Sequence, residues 1–174
     1  MKAKGATLVA EGRYLCLLDR GGWEFVERKN TTGIVVLVAV TEDRRLLLVE
    51  QWREPVGSRV LELPAGLAGD VAGAEDEALA TAARRELLEE TGYEASDLEL
   101  LMVAPSSPGL TSETYTFFRA SGLAKVAAGG GDASEDIVVH EVPLDGVEAW
   151  LQARAAEGFL IDLKVYAGLL FARS

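Results

Sequence analysis

The strongest helical pattern in this chain covers residues 76–91, where Gly92 stands as the stop just past the last turn. It is set between strand-like segments. Upstream, residues 7–18 and 23–28 flank a turn at Gly21-Gly22. Residues 34–41 and 46–52 predict a hairpin around Glu42-Asp43-Arg44-Arg45. A short strand over 60–63 is stopped by Pro64, Pro64-Ala65-Gly66 reads as a turn, and 67–76 reads as a loop. Downstream, 98–104, 114–119 and 137–142 read as strands, with a mobile Gly-rich stretch at 127–134. Residues 144–158 and 161–172 predict two late helices. One central and two late helices among strands exclude regular βαβ alternation and predict an α+β sandwich. At 174 residues, with no repeat, the chain fits one domain with a substantial core.

Charge and cysteine content narrow the function classes. Seventeen Lys and Arg against 28 Asp and Glu give a net charge of −11. That balance disfavours nucleic acid and anionic membrane as partners, since both need clustered cations. Cys16 is the single cysteine, so an intramolecular disulfide and a cysteine-based zinc site are excluded. Its apolar neighbours mark it as a small buried hydrophobe. The longest apolar run, 34–40, is far short of a membrane span, and no signal-peptide pattern opens the sequence. A soluble, cytoplasmic protein is expected. His140 lies in a strand pattern without a ligand-spaced partner and reads as a structural histidine.

The central helix holds an unfavourable arrangement. Glu86, Glu89 and Glu90 are spaced i, i+3 and i+4, so their carboxylates are neighbours. At ~100° per residue, Glu86 and Glu90 fall within about 20° of Leu79, on the stripe that should face the core. Glu89 and Glu90 also stand at the negative end of the helix dipole. Repulsion and dipole together cost about 1–3 kcal/mol, which Arg85 offsets in part. A bound Mg²⁺ or Mn²⁺ would reverse the sign. A solvated acidic helix end is the alternative that spacing alone leaves open.

The run Glu77-x₇-Arg85-Glu86-Leu87-x-Glu89-Glu90-x-Gly92-Tyr93 resembles the signature of Nudix hydrolases, Gly-x₅-Glu-x₇-Arg-Glu-U-x-Glu-Glu-x-Gly-U with U apolar. The opening glycine is best taken as Gly66, which places five extra residues in the 67–76 loop and leaves the helix spacing intact. Beyond this box, Glu50-Gln51-Trp52-Arg53-x-Pro55, Leu61-Glu62-Leu63-Pro64-Ala65-Gly66, residues 108–113 and Asp162-x-Lys164-Val165-Tyr166 are similar to the ADP-ribose pyrophosphatase (ADP-sugar diphosphatase) branch. So are Glu11-Gly12-Arg13-Tyr14 and Trp23-Glu24-x-x-x-Arg28.

The resemblance implies a Nudix α/β/α sandwich with a mixed sheet over 33–174. It also implies a small N-terminal β-subdomain over 1–32 that takes part in a homodimer. The implied activity is metal-dependent hydrolysis of ADP-ribose to AMP and ribose 5-phosphate. Another nucleoside diphosphate sugar or a dinucleotide as substrate, or a non-catalytic ADP-ribose sensor, is the alternative. Metal ligation by resemblance falls to the Ala65 carbonyl, Glu86 and Glu90, with Glu89 contributing. Tyr14 and Trp23 would stack on adenine, which suits a purine face. Glu24 would accept from the adenine amino group or a ribose hydroxyl, and Leu67 would line the site. Arg28 and Arg53 would clamp the diphosphate, for which the guanidinium fork is shaped. The general base is Glu135 or Glu113, with an ordinary loop acid as the remaining alternative.

Overall fold

A computed structural model gives the structure of the chain and describes residues 5–70, 73, 75, 77–131 and 135–173. Asp76, where the sequence pattern starts the helix, lies outside them, as do Asp132, Ala133 and Ser134. Eleven strands and three α-helices follow in the order β1 (Thr7–Glu11), β2 (Leu15–Arg20), β3 (Trp23–Arg28), β4 (Gly33–Ala39), β5 (Arg45–Arg53), β6 (Ser58–Glu62), β7 (Ala65–Ala68), α1 (Leu79–Thr91), β8 (Tyr93–Pro105), β9 (Thr114–Lys125), β10 (Val138–Pro143), α2 (Val147–Ala156), β11 (Leu160–Ile161) and α3 (Leu163–Ala172) among the described residues.

Two four-stranded sheets form the middle layer, ordered β7-β4-β9-β8 and β10-β5-β6-β11. Both are mixed, because β4 runs parallel to β9 and β11 parallel to β6. Strand β4 shows why the layer is buried on both sides. Val35, Leu37 and Ala39 point to α1, where they meet Ala82, Ala83 and Leu87. The alternate residues Val36 and Val38 point to the opposite face, against Val147 and Leu151 of α2 and Val165 and Leu169 of α3. A strand with two apolar faces reads as a continuous hydrophobic run, as 34–40 does. The result is the expected α+β fold, an α/β/α sandwich. No helix among the described residues is long and apolar enough to cross a membrane.

Local geometry departs from the sequence reading at four places. Residues 7–18 are two antiparallel strands, turned at Gly12, whose N–H donates to the Leu15 carbonyl at 2.8 Å. The segment after Pro64, read as a turn and loop, continues as β7, paired with β4 from Ala65–Val36 to Ala68–Gly33. Strand β8 starts at Tyr93, directly after the helix, because Gly92 in the left-handed conformation (φ 77°) reverses the chain. The hairpin pair β4 and β5 touches only at a Val40–Leu46 bridge before the strands enter different sheets. Strands β1–β3 form a third sheet that docks through β3, with Val26 N–H donating to the Leu110 carbonyl and Ser112 N–H to the Val26 carbonyl.

Leu63 is fully buried between the end of β6 and Gly168 of α3. Leu63→Ala is expected to cost about 2–5 kcal/mol, read from the urea midpoint, since the cavity has rigid walls.

Candidate active site

The site is built on α1. Glu86 and Glu90 do lie on its inward face, with the Glu86 side chain 12% exposed and Glu90 2% exposed, while Glu89 points outward. Strand β7 runs beneath them. The Ala65 N–H donates to Glu90 Oε2 at 2.9 Å. A Cβ at residue 66 would collide with the Glu86 carboxylate, so Gly66 is required by close approach.

Arg85 joins the parts. Its Nη1 donates to Glu86 Oε1 at 2.8 Å and to Glu89 Oε2 at 3.1 Å. Its Nη2 donates to the Leu67 carbonyl at 2.9 Å and to Glu77 Oε2 at 3.1 Å. One guanidinium thus ties the helix acids to β7 and to Glu77, the first acid of the sequence motif. Arg85 holds the Glu77 carboxyl below its usual range. Burial pushes Glu86 up to about 7 against the pull of Arg85. Burial also drives Glu90 well above the usual carboxylate range, with the charges of Glu86, Glu135 and Glu62 adding to it. These carboxylates carry a deficit of positive charge.

A cleft of about 700 Å³ opens over this wall. Of the residues predicted from sequence, Ala65, Leu67, Glu86, Glu90, Glu113, Glu135, Arg28 and Arg53 line it. Arg28 Nε meets Glu113 Oε1 at 2.7 Å, so a proposed clamp and a proposed base form an ion pair. Arg53 Nε meets Glu62 Oε1 at 2.5 Å. Tyr14, Trp23, Glu24 and Glu89 are not among the cleft-lining residues. Tyr14, in the turn between β1 and β2, and Trp23, at the start of β3, have about three-fifths of their surface exposed, and the Trp23 indole N–H donates to the Gly109 carbonyl at 3.3 Å.

Sequence reasoning assigned no role to Glu62, Asp162 and Lys164, which also line the cleft. Lys164 Nζ lies 2.5 Å from Asp162 Oδ2, 3.3 Å from Glu62 Oε2 and 4.9 Å from the Tyr115 ring centroid. The available signal was a charge at an apolar position: Glu62 between Leu61 and Leu63, and Lys164 in the first turn of an otherwise apolar helix. Such charges stay buried only when paired.

Among the described residues no three His, Cys, Asp or Glu side chains enclose a metal by themselves. Glu86 and Glu90 fit a hard divalent cation nonetheless. Mg²⁺ keeps several waters and is commonly held by one or two carboxylates together with substrate phosphates.

A sandwich that presents motif-spaced acids from its central helix beside a β7 glycine defines a class of protein, and the comparisons with known proteins agree. The NUDIX domain model matches residues 30–160. The chain belongs to the Nudix family. It is 37% identical over 114 residues to the methanol dehydrogenase activator of Bacillus methanolicus, covering 65% of this chain and 59% of that protein. It is 33% identical over 139 residues to the ADP-ribose pyrophosphatase of Mycobacterium tuberculosis, covering 79% of this chain and 63% of that one. The chain therefore spans about three-fifths of the length of these relatives. Among solved structures it resembles that of an ADP compounds hydrolase, with a TM-score of 0.63 and 25% identity over 86% of this chain and 81% of that one.

Arg85→Lys keeps the charge and loses the fork. It is expected to lower stability by about 1–3 kcal/mol in urea unfolding, because the buried Glu77 and Glu86 carboxylates lose donors.

Proposed function

We propose that this protein is a metal-dependent hydrolase of ADP-ribose, releasing AMP and ribose 5-phosphate. The observation that carries the reading is the juxtaposition in one cleft of Glu86, Glu90 and Glu135 with Arg28 and Arg53. Acids that need a cation face guanidiniums shaped for phosphate oxygens, which is the polarity a diphosphate requires. Glu86, Glu90 and the Ala65 carbonyl, with Glu89 contributing, would hold Mg²⁺ or Mn²⁺. When bound there, the cation would supply neutralisation of the diphosphate and acidification of water at neutral pH.

The chain's own groups do the rest. Arg28 and Arg53 bind and orient the diphosphate. Glu135 accepts a proton from the attacking water as the water oxygen bonds to one phosphorus and the anhydride P–O bond at that phosphorus breaks, the bridging oxygen leaving on the other phosphate. Glu113, the other acid considered for this role, is engaged by the Arg28 clamp at 2.7 Å, which favours the cleft-lining Glu135. Leu67 borders the substrate. Tyr14 and Trp23 stack on adenine and Glu24 accepts from its amino group or a ribose hydroxyl. Because these three stand outside the cleft of their own chain, their role is assigned to a cytoplasmic homodimer in which the β1–β3 sheet, residues 1–32, reaches a partner's 33–174 domain.

The test is product analysis with Mg²⁺ and a panel of ADP-ribose, other nucleoside diphosphate sugars and dinucleotides. AMP from ADP-ribose, abolished by chelator, is expected. Preferred cleavage of another panel member would move the substrate. Tight ADP-ribose binding in calorimetry without any cleavage would make the protein a sensor. Glu86→Gln is expected to lower kcat by roughly 100-fold or more with circular dichroism unchanged. Trp23→Ala is expected to raise KM with kcat nearly constant, and sedimentation should give twice the 18.6 kDa chain mass.

A further inference from the structure

Described residues on both sides of Glu135 are held by groups that the reaction above does not use. On its N-terminal side, the Gly130 N–H donates to the Glu90 carbonyl at 2.8 Å and the Gly131 N–H to the Glu89 carbonyl at 3.0 Å. The described part of the stretch expected to be mobile is thus bonded to the last turn of α1. A Cβ at residue 131 would lie 2.8 Å from the Glu135 Cβ, so the Glu135 side chain packs over that glycine.

The other anchor is Arg59 of β6. Its Nη1 donates to Asp136 Oδ2 at 3.0 Å and its Nη2 to the Asp136 carbonyl at 3.4 Å. The remaining nitrogen, Nε, donates to Glu50 Oε1 at 2.5 Å. Glu50 is itself buried on β5, and its other oxygen lies 2.9 Å from His140 Nε2 on β10. Three adjacent strands, β10, β5 and β6, therefore fix one guanidinium, whose two free ends hold the residue next to Glu135. The Asp136 side chain is 82% exposed. An ion pair so exposed adds little to global stability, so its consequence is local position.

We propose that Arg59, backed by Glu50 and His140, is a positioning residue that sets Glu135 against the cleft. This rests on the assignment of Glu135 as the proton acceptor. Arg59 is not among the cleft-lining residues and acts through Asp136. Lysine cannot replace it, because one ammonium cannot reproduce a planar fork serving Glu50, Asp136 Oδ2 and the Asp136 carbonyl.

The experiment compares wild type, Arg59→Lys, Glu135→Gln and the double variant in steady-state ADP-ribose hydrolysis with Mg²⁺. Hydrogen exchange of the Glu135, Asp136 and Ile137 amides is followed in parallel. Arg59→Lys is expected to lower kcat about 10- to 100-fold with KM within about twofold, since misplacement of a reacting group by 1 Å costs on that order. In the Glu135→Gln background it is expected to add no further loss, and the three amides are expected to exchange faster. Asp136→Ala, at an exposed site, is expected to reproduce part of the kcat loss and covers the case in which Arg59→Lys does not fold. A full loss in Glu135→Gln with none in Arg59→Lys, or losses that multiply in the double variant, would overturn the proposal. Full kcat in Glu135→Gln, or no hydrolysis by wild type, would instead overturn the reading of Glu135 or of the activity. Exchange then decides the positioning role alone, and unchanged protection of the three amides would overturn it.

Discussion

Two carboxylates on the inward face of α1 are the constraint around which the site is organised. Charges taken out of water are costly unless they gain partners. Glu90 gains the Ala65 N–H and Glu86 gains Arg85, yet burial still raises both above their ordinary protonation range. That imbalance dictates the neighbours. Strand β7 must pass close enough to offer backbone donors, which only a glycine at 66 permits. Arg85 must reach the Leu67 carbonyl and Glu77 together, which fixes the helix relative to β7.

The same helix end shows how backbone groups complete such a site. The final carbonyls of a helix lack partners within it. In α1 the Gly92 N–H serves Leu88, and Gly130 and Gly131 reach back to Glu90 and Glu89. Donors arriving from 40 residues away satisfy a terminus that carries two acids, where cationic side chains would ordinarily stand. They also bring Gly130 and Gly131 beside the helix that carries Glu86 and Glu90.

Across the cleft the cations are paired as well: Arg28 with Glu113, Arg53 with Glu62, Lys164 with Glu62 and Asp162. The chain's net charge of −11 is therefore uninformative about the field in the cleft, where alternating acids and bases stand within a few ångströms. Asp162 serves twice, since its carboxylate also accepts the Lys164 backbone N–H as the N-cap of α3. The helix start and the seating of the buried lysine are one structural event.

Sequence by itself determined the α1 acids and their facing, because helical periodicity is a local property and a Glu at i and i+4 must share a side. It also determined the strand-rich character of the chain and a strand over 34–41, whose apolar run the fold buries on both faces. Local pattern did not determine that residues 65–68 pair as a strand, that β8 starts immediately after Gly92, or that β4 runs parallel to β9. Those depend on hydrogen bonds to partners distant in sequence. Glu62, Asp162 and Lys164 stood in recognised motifs without a role for the same reason: a charge in an apolar stretch gains meaning only when the partner that neutralises it is known. Tertiary structure alone decided which arginine met which acid, and it placed Arg59 beside Asp136 across 77 residues of chain. Side-chain pairing over such separations follows from strand order and register, which no short-range pattern encodes.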